Sequence, residues 1–187
     1  MTSESKLAAL AYVDQRRFIV PVYGLAGGEC RCGRGSKCGH PGKHPISSLA
    51  RNGVLNATRS EATIERWWER IPSIENLGIV PGPSGLVVLD VDPRNGGDGS
   101  LADLVESGFD LPPTLTSATG GGGWHYVYAD PERHARSWKA GKGLDVLAGN
   151  SMFVAPPSNH VSGGVYRWVD PEAPVADAPT WLIRGET

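Results

Sequence analysis

The chain has 187 residues, of which 40% are hydrophobic and 20% charged, and its formal net charge is −2. These values exclude a disordered, fibrous or membrane-spanning protein, because the chain can bury a core and no apolar run approaches the ~20 residues of a membrane helix. The N-terminal residues also lack the basic and then apolar pattern of a secretory signal. We therefore expect one globular domain, residues 1–187, that is cytoplasmic and has no membrane partner.

Charge is distributed unevenly along the sequence. Residues 31–70 contain eight Lys or Arg and three Glu, whereas the rest of the chain is acidic. A basic segment beside an acidic one is typical of a surface that contacts nucleic acid next to carboxylates that bind metal. Ordinary surface charge explains the same pattern equally well.

The N-terminal segment predicts a helix followed by a strand. Leu7, Leu10 and Ala11 recur at helical spacing within residues 5–16. Residues 18–23 are mostly apolar and predict a strand, and Pro21 places it at the edge of a sheet because proline cannot donate a ladder hydrogen bond.

All three cysteines lie close together at positions 30, 32 and 38, in a glycine-rich segment that also contains His40 and His44. An odd number of cysteines without an export signal does not fit a disulfide framework. Three thiolates and one imidazole fit a closed, structural zinc site, which would supply folding energy to the loop at 28–45. The predicted ligands are Cys30, Cys32, Cys38 and His44, with His40 as the alternative fourth ligand and free cysteines in a flexible loop as the alternative to zinc.

After the cysteine segment, residues 58–61 (Thr-Arg-Ser-Glu) have the pattern of a capping box, which predicts the start of a helix. The apolar face of this helix consists of Ile64, Trp67, Trp68 and Ile71. Both tryptophans are expected in the core rather than as platforms on which bases stack.

The remainder of the chain predicts mostly strands. Residues 76–80 and 86–91 form a hairpin around the turn at 81–85, and a helix at about 98–107 ends at Gly108. Further strands are expected at 114–119, 124–128, 144–147, 151–155 and 165–168, with a short closing helix or turn near Trp181. Many strands with few helices indicate an α+β fold with a largely antiparallel sheet.

The strand at 86–91 leads into two carboxylates one residue apart, Asp90 and Asp92. Alternate side chains of a strand share a face, so the two carboxylates would lie close together. Two like charges at such a short distance are tolerated mainly beside a divalent cation or a base. The alternative is a strand that ends in an ordinary turn, since the following Asp-Pro-Arg-Asn-Gly-Gly is rich in turn-forming residues.

Two later motifs favour a metal site with a phosphate ligand. The four glycines at 120–123 allow close approach of the backbone and offer N–H groups to phosphate oxygens, and His125 follows on the next strand. Asp145 places a carboxylate in an apolar strand, where a charge needs a partner. Three carboxylates with oxygen-only ligation suit Mg²⁺ or Mn²⁺.

The ordered set of motifs resembles the N-terminal domain of bifunctional DNA primase/polymerases, a family of the archaeo-eukaryotic primase superfamily found in phage, plasmid and other mobile-element replication proteins. The resemblance covers about residues 10–170. It is carried by Leu-Asp-Val-Asp at 89–92, Thr-Gly-Gly-Gly-Gly-Trp-His at 119–125, Gly-Leu-Asp-Val at 143–146, Ala-Pro-Pro-Ser-Asn-His at 155–160 and Tyr-Arg-Trp at 166–168.

This resemblance implies a primase-like catalytic core with an RRM-like sheet at about 76–187, preceded by a small N-terminal α/β part at about 1–75 that carries the zinc loop. It implies that Asp90, Asp92 and Asp145 hold two divalent cations and that His125 contacts the phosphates of the incoming nucleotide. The remaining nucleotide-binding candidates are Gly121, Gly122, Gly123, Ser158 and His160. The cysteine cluster looks like the zinc-binding insertion of some members.

The expected function is template-directed nucleotidyl transfer, in which primers are made de novo and extended by two-metal catalysis. The expected partners are single-stranded DNA, nucleoside triphosphates and a helicase, as a further domain or a separate protein. Two other classes remain open. A metal-dependent nuclease or phosphohydrolase would degrade DNA or nucleotides, and a non-catalytic zinc-containing module would bind single-stranded DNA without needing Asp90 or Asp92.

Overall fold

Six antiparallel strands form the main sheet of the computed structural model, which describes residues 3–185. Within that range, a three-stranded sheet, a two-stranded hairpin and four α-helices complete the fold. The elements are α1 (Glu4–Asp14), β1 (Ile19–Val22), β2 (Leu25–Ala26), β3 (Glu29–Cys30), α2 (Glu61–Arg70), β4 (Asn76–Ile79), β5 (Leu86–Val91), α3 (Gly97–Glu106), β6 (Leu115–Ala118), β7 (Trp124–Ala129), β8 (Trp138–Gly141), β9 (Leu144–Leu147), β10 (Phe153–Ala155), β11 (Arg167–Trp168) and α4 (Thr180–Arg184).

The strand order is β11-β6-β7-β5-β9-β8 in the main sheet and β1-β4-β10 in the smaller sheet. All neighbouring pairs in both sheets are antiparallel, which confirms the predicted α+β class with its largely antiparallel sheet. β1 is an edge strand and therefore accommodates Pro21, as predicted. None of the helices in residues 3–185 has the length and apolar character needed to cross a bilayer.

The central strand β5 is buried on both faces. Leu86 and Val88 pack into a cluster with residues of α1 and α2, whereas Val87 and Leu89 pack on the opposite side with residues of α3 and α4. Burial on both sides explains why β5 is a continuous apolar run rather than an alternating one. Because side chains alternate along a strand, Asp90 lies on the same face as Leu86 and Val88.

The start of α2 differs from the prediction by two residues. Ser60, not Thr58, is the N-cap, and its Oγ accepts a hydrogen bond from the Thr63 N–H at 3.3 Å. Thr58 precedes the helix, and its Oγ1 accepts a bond from the Ser60 N–H at 3.0 Å. The predicted apolar face is confirmed, since Trp67 and Trp68 are both buried in the core.

The predicted hairpin between residues 76–80 and 86–91 is wrong. β4 pairs with β1 and β10, while β5 pairs with β7 and β9, so both edges of each strand are occupied by partners more distant in sequence. Between them, Gly82–Ser84 form a 3-10 turn, and Gly85 takes the left-handed conformation with φ at 67°, which redirects the chain into the main sheet.

The other predicted helices and strands are present. The sequence pattern does not predict β8 or the hairpin β2–β3, because very short or glycine-containing strands carry little periodicity.

Candidate active site and metal centre

Three candidate site residues lie side by side on adjacent strands of the main sheet. Asp90 on β5 is directly opposite His125 on β7 and Asp145 on β9. Directly opposed residues of an antiparallel pair point to the same face, so the three side chains form a row. Asp90 Oδ1 lies 3.5 Å from His125 Nε2. Hydrogen bonding between the strands therefore brings together residues that are up to 55 positions apart in sequence.

The environment of Asp90 disfavours its charge. Burial raises its pKa to about 6, Asp145 and Asp92 add to this effect, and the positive charge of Lys43 opposes it. A divalent cation beside the carboxylate would remove this penalty, because an opposite charge favours the ionised form.

Asp92, just beyond the end of β5, caps the turn at 93–95. Its carboxylate accepts hydrogen bonds from the Arg94 backbone N–H at 3.1 Å and from the Asn95 amide at 2.8 Å, and Arg94 Nε lies 3.3 Å from it. Burial raises its pKa, but these bonds outweigh that effect and hold the pKa of Asp92 below its usual value. The turn alternative and the metal-site prediction therefore apply to the same residue.

Asp145 has a neighbour that the sequence pattern does not reveal. Lys139 on β8 is opposite Asp145, and its Nζ lies 3.7 Å from Asp145 Oδ1. Lys139 is largely exposed, so this pair is weak. Within residues 3–185, the ligand atoms of Asp90, Asp92 and Asp145 do not all lie within 4.8 Å of one another, a spacing that the cysteine cluster does reach.

His125 is enclosed by aromatic rings. Its imidazole stacks on Tyr166 with ring centroids 5.9 Å apart and meets the edge of Phe153 at 5.4 Å. Burial lowers its pKa to about 3, and the charge of Lys43 acts in the same direction, so the ring is neutral at neutral pH. Its buried Nδ1 has no hydrogen-bond partner among the described residues. The ring thus has one unused polar atom for a ligand.

The glycine loop at 120–123 is closed by its own hydrogen bonds and packs tightly. The N–H groups of Gly122 and Gly123 donate to Thr119 at 3.0 and 2.9 Å, so these two amides are occupied within the loop. A Cβ atom at Gly121 would lie 2.8 Å from the Arg94 guanidinium and 3.3 Å from His160 Cε1. Glycine at this position therefore permits the loop to approach both of these side chains.

The segment at 158–162 contacts the glycine loop. The Ser158 hydroxyl accepts a bond from the Leu77 N–H at 2.9 Å and donates to the Ala155 carbonyl at 2.6 Å, so it is fully used in holding this segment to β4. The His160 ring contacts Ser162 Oγ at 2.9 Å, and the Ser162 hydroxyl donates to the Gly120 carbonyl at 2.6 Å. Burial lowers the pKa of His160, and the charges of Lys43 and Arg94 contribute.

The four predicted zinc ligands lie together. One ligand atom from each of Cys30, Cys32, Cys38 and His44 falls within 4.8 Å of the others, and His44 Nε2 is 3.4 Å from both Cys30 Sγ and Cys38 Sγ. The His44 carbonyl accepts a bond from the Tyr23 N–H at 3.0 Å, which fixes that end of the loop against β1. Three thiols and one imidazole at this spacing fit tetrahedral Zn²⁺.

His40 lies outside the group of four ligands. The structure therefore favours His44 over His40 as the fourth ligand. All three cysteines are free thiols in the structure.

Sequence reasoning did not identify Arg94 or Asn76 as residues around the site. It also did not predict that Lys43 influences the site. Arg94 is recognisable in retrospect, because it follows Asp92 within a turn motif. Asn76 and Lys43 carry no local signal, since they reach the site only through contacts with distant segments.

Comparison with known protein families adds independent support for the family resemblance. The model of the family described as bifunctional DNA primase/polymerase, N-terminal, matches residues 9–181, nearly the whole chain. A search of curated proteins gives no match. The matched range includes every candidate site residue named above, from Cys30 to His160.

Proposed function

The chain belongs to the family of bifunctional DNA primase/polymerase N-terminal domains and is therefore a nucleotidyltransferase of the primase/polymerase kind, and we propose that it both starts primers de novo and extends them. Its template is single-stranded DNA and its substrates are nucleoside triphosphates. The observation that carries this proposal is the row of Asp145, Asp90 and His125 on adjacent strands, with the glycine loop and His160 nearby.

Asp90, Asp92 and Asp145 would hold two Mg²⁺ or Mn²⁺ ions, which when bound supply charge neutralisation at the α-phosphate and the attacking and leaving oxygens. Hard oxygen ligands suit these ions. Burial and the negative charges of Asp145 and Asp92 raise the pKa of Asp90. They also support a cation there, because the ionised carboxylate is otherwise poorly stabilised. Asp92 enters the site ionised and oriented by its turn.

His125 would contact the phosphates of the incoming nucleotide. Because its ring is neutral, it donates through only one nitrogen. The stacking of Tyr166 and the edge of Phe153 hold the ring in a single orientation, so this donor is positioned before the nucleotide arrives. Gly121 and His160 would lie beside the same phosphates, and Ser158 would act by holding His160 in place.

We further propose that Cys30, Cys32, Cys38 and His44 bind one structural Zn²⁺. A fully ligated metal leaves no open position for chemistry and instead stabilises the loop. The wider biological setting, replication of a phage, plasmid or other mobile element together with a helicase, rests on the family resemblance alone.

Primer synthesis and extension can be tested directly. The chain is incubated with a single-stranded template, labelled nucleotides and Mg²⁺ or Mn²⁺, with and without an annealed primer. Products in both reactions support the proposal, and Asp90→Asn should abolish them while Asp103→Asn, an exposed carboxylate on α3, should not. Shortening of a labelled primer would instead support the nuclease class, and template binding without any product would support the non-catalytic module.

A further inference from the structure

Lys43 is an exposed residue that directly precedes the candidate zinc ligand His44. Among the described residues, no carboxylate oxygen lies within 4.0 Å of its ammonium group. An exposed, unpaired lysine is usually ordinary surface charge, so its position relative to the candidate active site decides whether it has a further role.

Hydrogen bonds hold the backbone on both sides of Lys43, and those before it reach the catalytic part. The fully buried Asn76 amide donates to the Gly42 carbonyl at 3.1 Å and to the Asn159 carbonyl at 2.9 Å, and Asn76 Oδ1 accepts from the Asn159 N–H at 2.9 Å. On the other side, the His44 carbonyl accepts from the N–H of Tyr23, which directly follows β1. Asn76 therefore ties the zinc loop to the segment that carries His160.

This arrangement brings the charge of Lys43 to the candidate active site. Burial is the largest cause of the altered pKa of Asp90, His125 and His160, and at each of them Lys43 is the strongest influence from another charged residue. These three groups come from β5, β7 and the segment after β10. The hydrogen bonds of Asn76 to Gly42 and Asn159 place the backbone next to Lys43 beside the segment that carries His160, which agrees with this influence.

A second cation lies on the same side. Arg94 influences His160 as Lys43 does, and it approaches the glycine loop so closely that a Cβ at Gly121 would be 2.8 Å from its guanidinium. Two cations, the buried His160 and a glycine loop form a suitable environment for a highly charged anion. Three carboxylate ligands would offset most of the charge of two divalent cations, so further positive groups would help to bind a triphosphate.

We propose that Lys43 binds the triphosphate of the incoming nucleotide, and that the zinc cluster together with Asn76 holds the loop that presents it. This inference rests on the proposed function. It distinguishes Lys43 from the other basic residues of the loop. Arg31 pairs with Glu75 at 3.1 Å, and Lys37 lies in a separate 3-10 turn, Gly35–Lys37, away from the Gly42 tether.

The test is equilibrium binding of a nucleoside triphosphate and of the matching monophosphate to the full chain with Mg²⁺, by calorimetry. Lys43→Ala should weaken triphosphate binding by about tenfold, the equivalent of one charge-assisted hydrogen bond, and monophosphate binding by less than about twofold. Lys43→Arg should retain most of the affinity. Lys37→Ala is the matched control in the same loop and should keep the wild-type triphosphate affinity.

The role of the zinc cluster is tested by a double-mutant cycle in the same binding assay. Cys38→Ser should weaken triphosphate binding about as much as Lys43→Ala, and the double variant should be no worse than either single variant. Additive losses would overturn the coupling between the cluster and Lys43. Since Lys43 is exposed, Lys43→Ala should fold normally even if Cys38→Ser does not.

Unchanged triphosphate affinity in Lys43→Ala, with or without weaker binding of single-stranded DNA, would overturn the inference while leaving the proposed function intact. Failure of the wild-type chain to bind any triphosphate would overturn the proposed function and the inference with it.

Discussion

Asp90 and Asp145 lie directly opposite each other on β5 and β9, with both side chains on the same face of the main sheet. Their mutual repulsion adds to the burial that raises the pKa of Asp90 to about 6. A protein that keeps two carboxylates in such positions loses stability unless a positive group compensates. This relationship is the physical basis for the predictions on catalysis and on pH.

Replacing either of the first two carboxylates should abolish activity. Asp90→Asn and Asp92→Asn each remove a proposed cation ligand without changing side-chain size, so primer extension should fall by at least about 100-fold. Rates are measured with saturating template and nucleotide. Near-wild-type extension by either variant would show that the cation assignment is wrong.

The pH dependence of stability should report Asp90 directly. Because its pKa in the folded protein is about 6, above the ~3.9 of an unfolded chain, its contribution to stability is fully present below about pH 4 and is lost as the pH rises through 6. Without added Mg²⁺ or Mn²⁺, Asp90→Asn should therefore melt at a higher temperature than the wild type at pH 7.5, and the gain should shrink towards pH 4.

Melting curves at a series of pH values, with Asp103→Asn as the control, measure this difference. A pH-independent difference between wild type and Asp90→Asn would contradict the predicted shift.

His125 should act as a neutral donor. His125→Ala should weaken triphosphate binding by about tenfold or less, as expected for one neutral hydrogen bond. Since burial keeps the ring unprotonated above about pH 3, the ratio of wild-type to variant affinity should stay constant between pH 6 and 8. A ratio that falls as the pH rises through 6 to 7 would show that the bound imidazole is protonated.

Ser158 should contribute mainly to stability. Ser158→Ala leaves the buried Leu77 N–H without its acceptor, so unfolding in urea should become easier by about 1–3 kcal/mol. Unchanged stability together with a large loss of triphosphate affinity would instead indicate that the hydroxyl contacts the nucleotide.

One zinc ion per chain should copurify with the protein. Chelation or Cys38→Ser should increase hydrogen exchange at residues 24–50, because the metal orders a loop with little core. Amides of β5 and β9 should keep their protection, since the main sheet carries its own hydrogen bonds. Elemental analysis and exchange measured by mass spectrometry test both points, and a chain purified intact without zinc would contradict the assignment.

Features whose physical cause is local can be predicted from the sequence. Helical spacing identified α1, α2 and α3, and apolar runs identified most strands, because these patterns record which side of an element is buried. The proposed zinc ligands span only residues 30–44, so their grouping can be predicted from chemistry and spacing alone. The Asp-x-Asp motif is also local, although only Asp90 lies within β5 and Asp92 caps the turn that follows.

Features that depend on contacts between distant segments are visible only in the folded protein. β4 and β5 are neighbours in sequence, yet they belong to different sheets because other strands satisfy their hydrogen bonds. The neutral state of His125 follows from burial, with Tyr166 and Phe153 against its ring. Lys43 influences Asp90 because the buried Asn76 joins the loop before the lysine to the segment after β10. No local pattern encodes these contacts, since each forms only when distant segments of the chain pack and hydrogen-bond with one another.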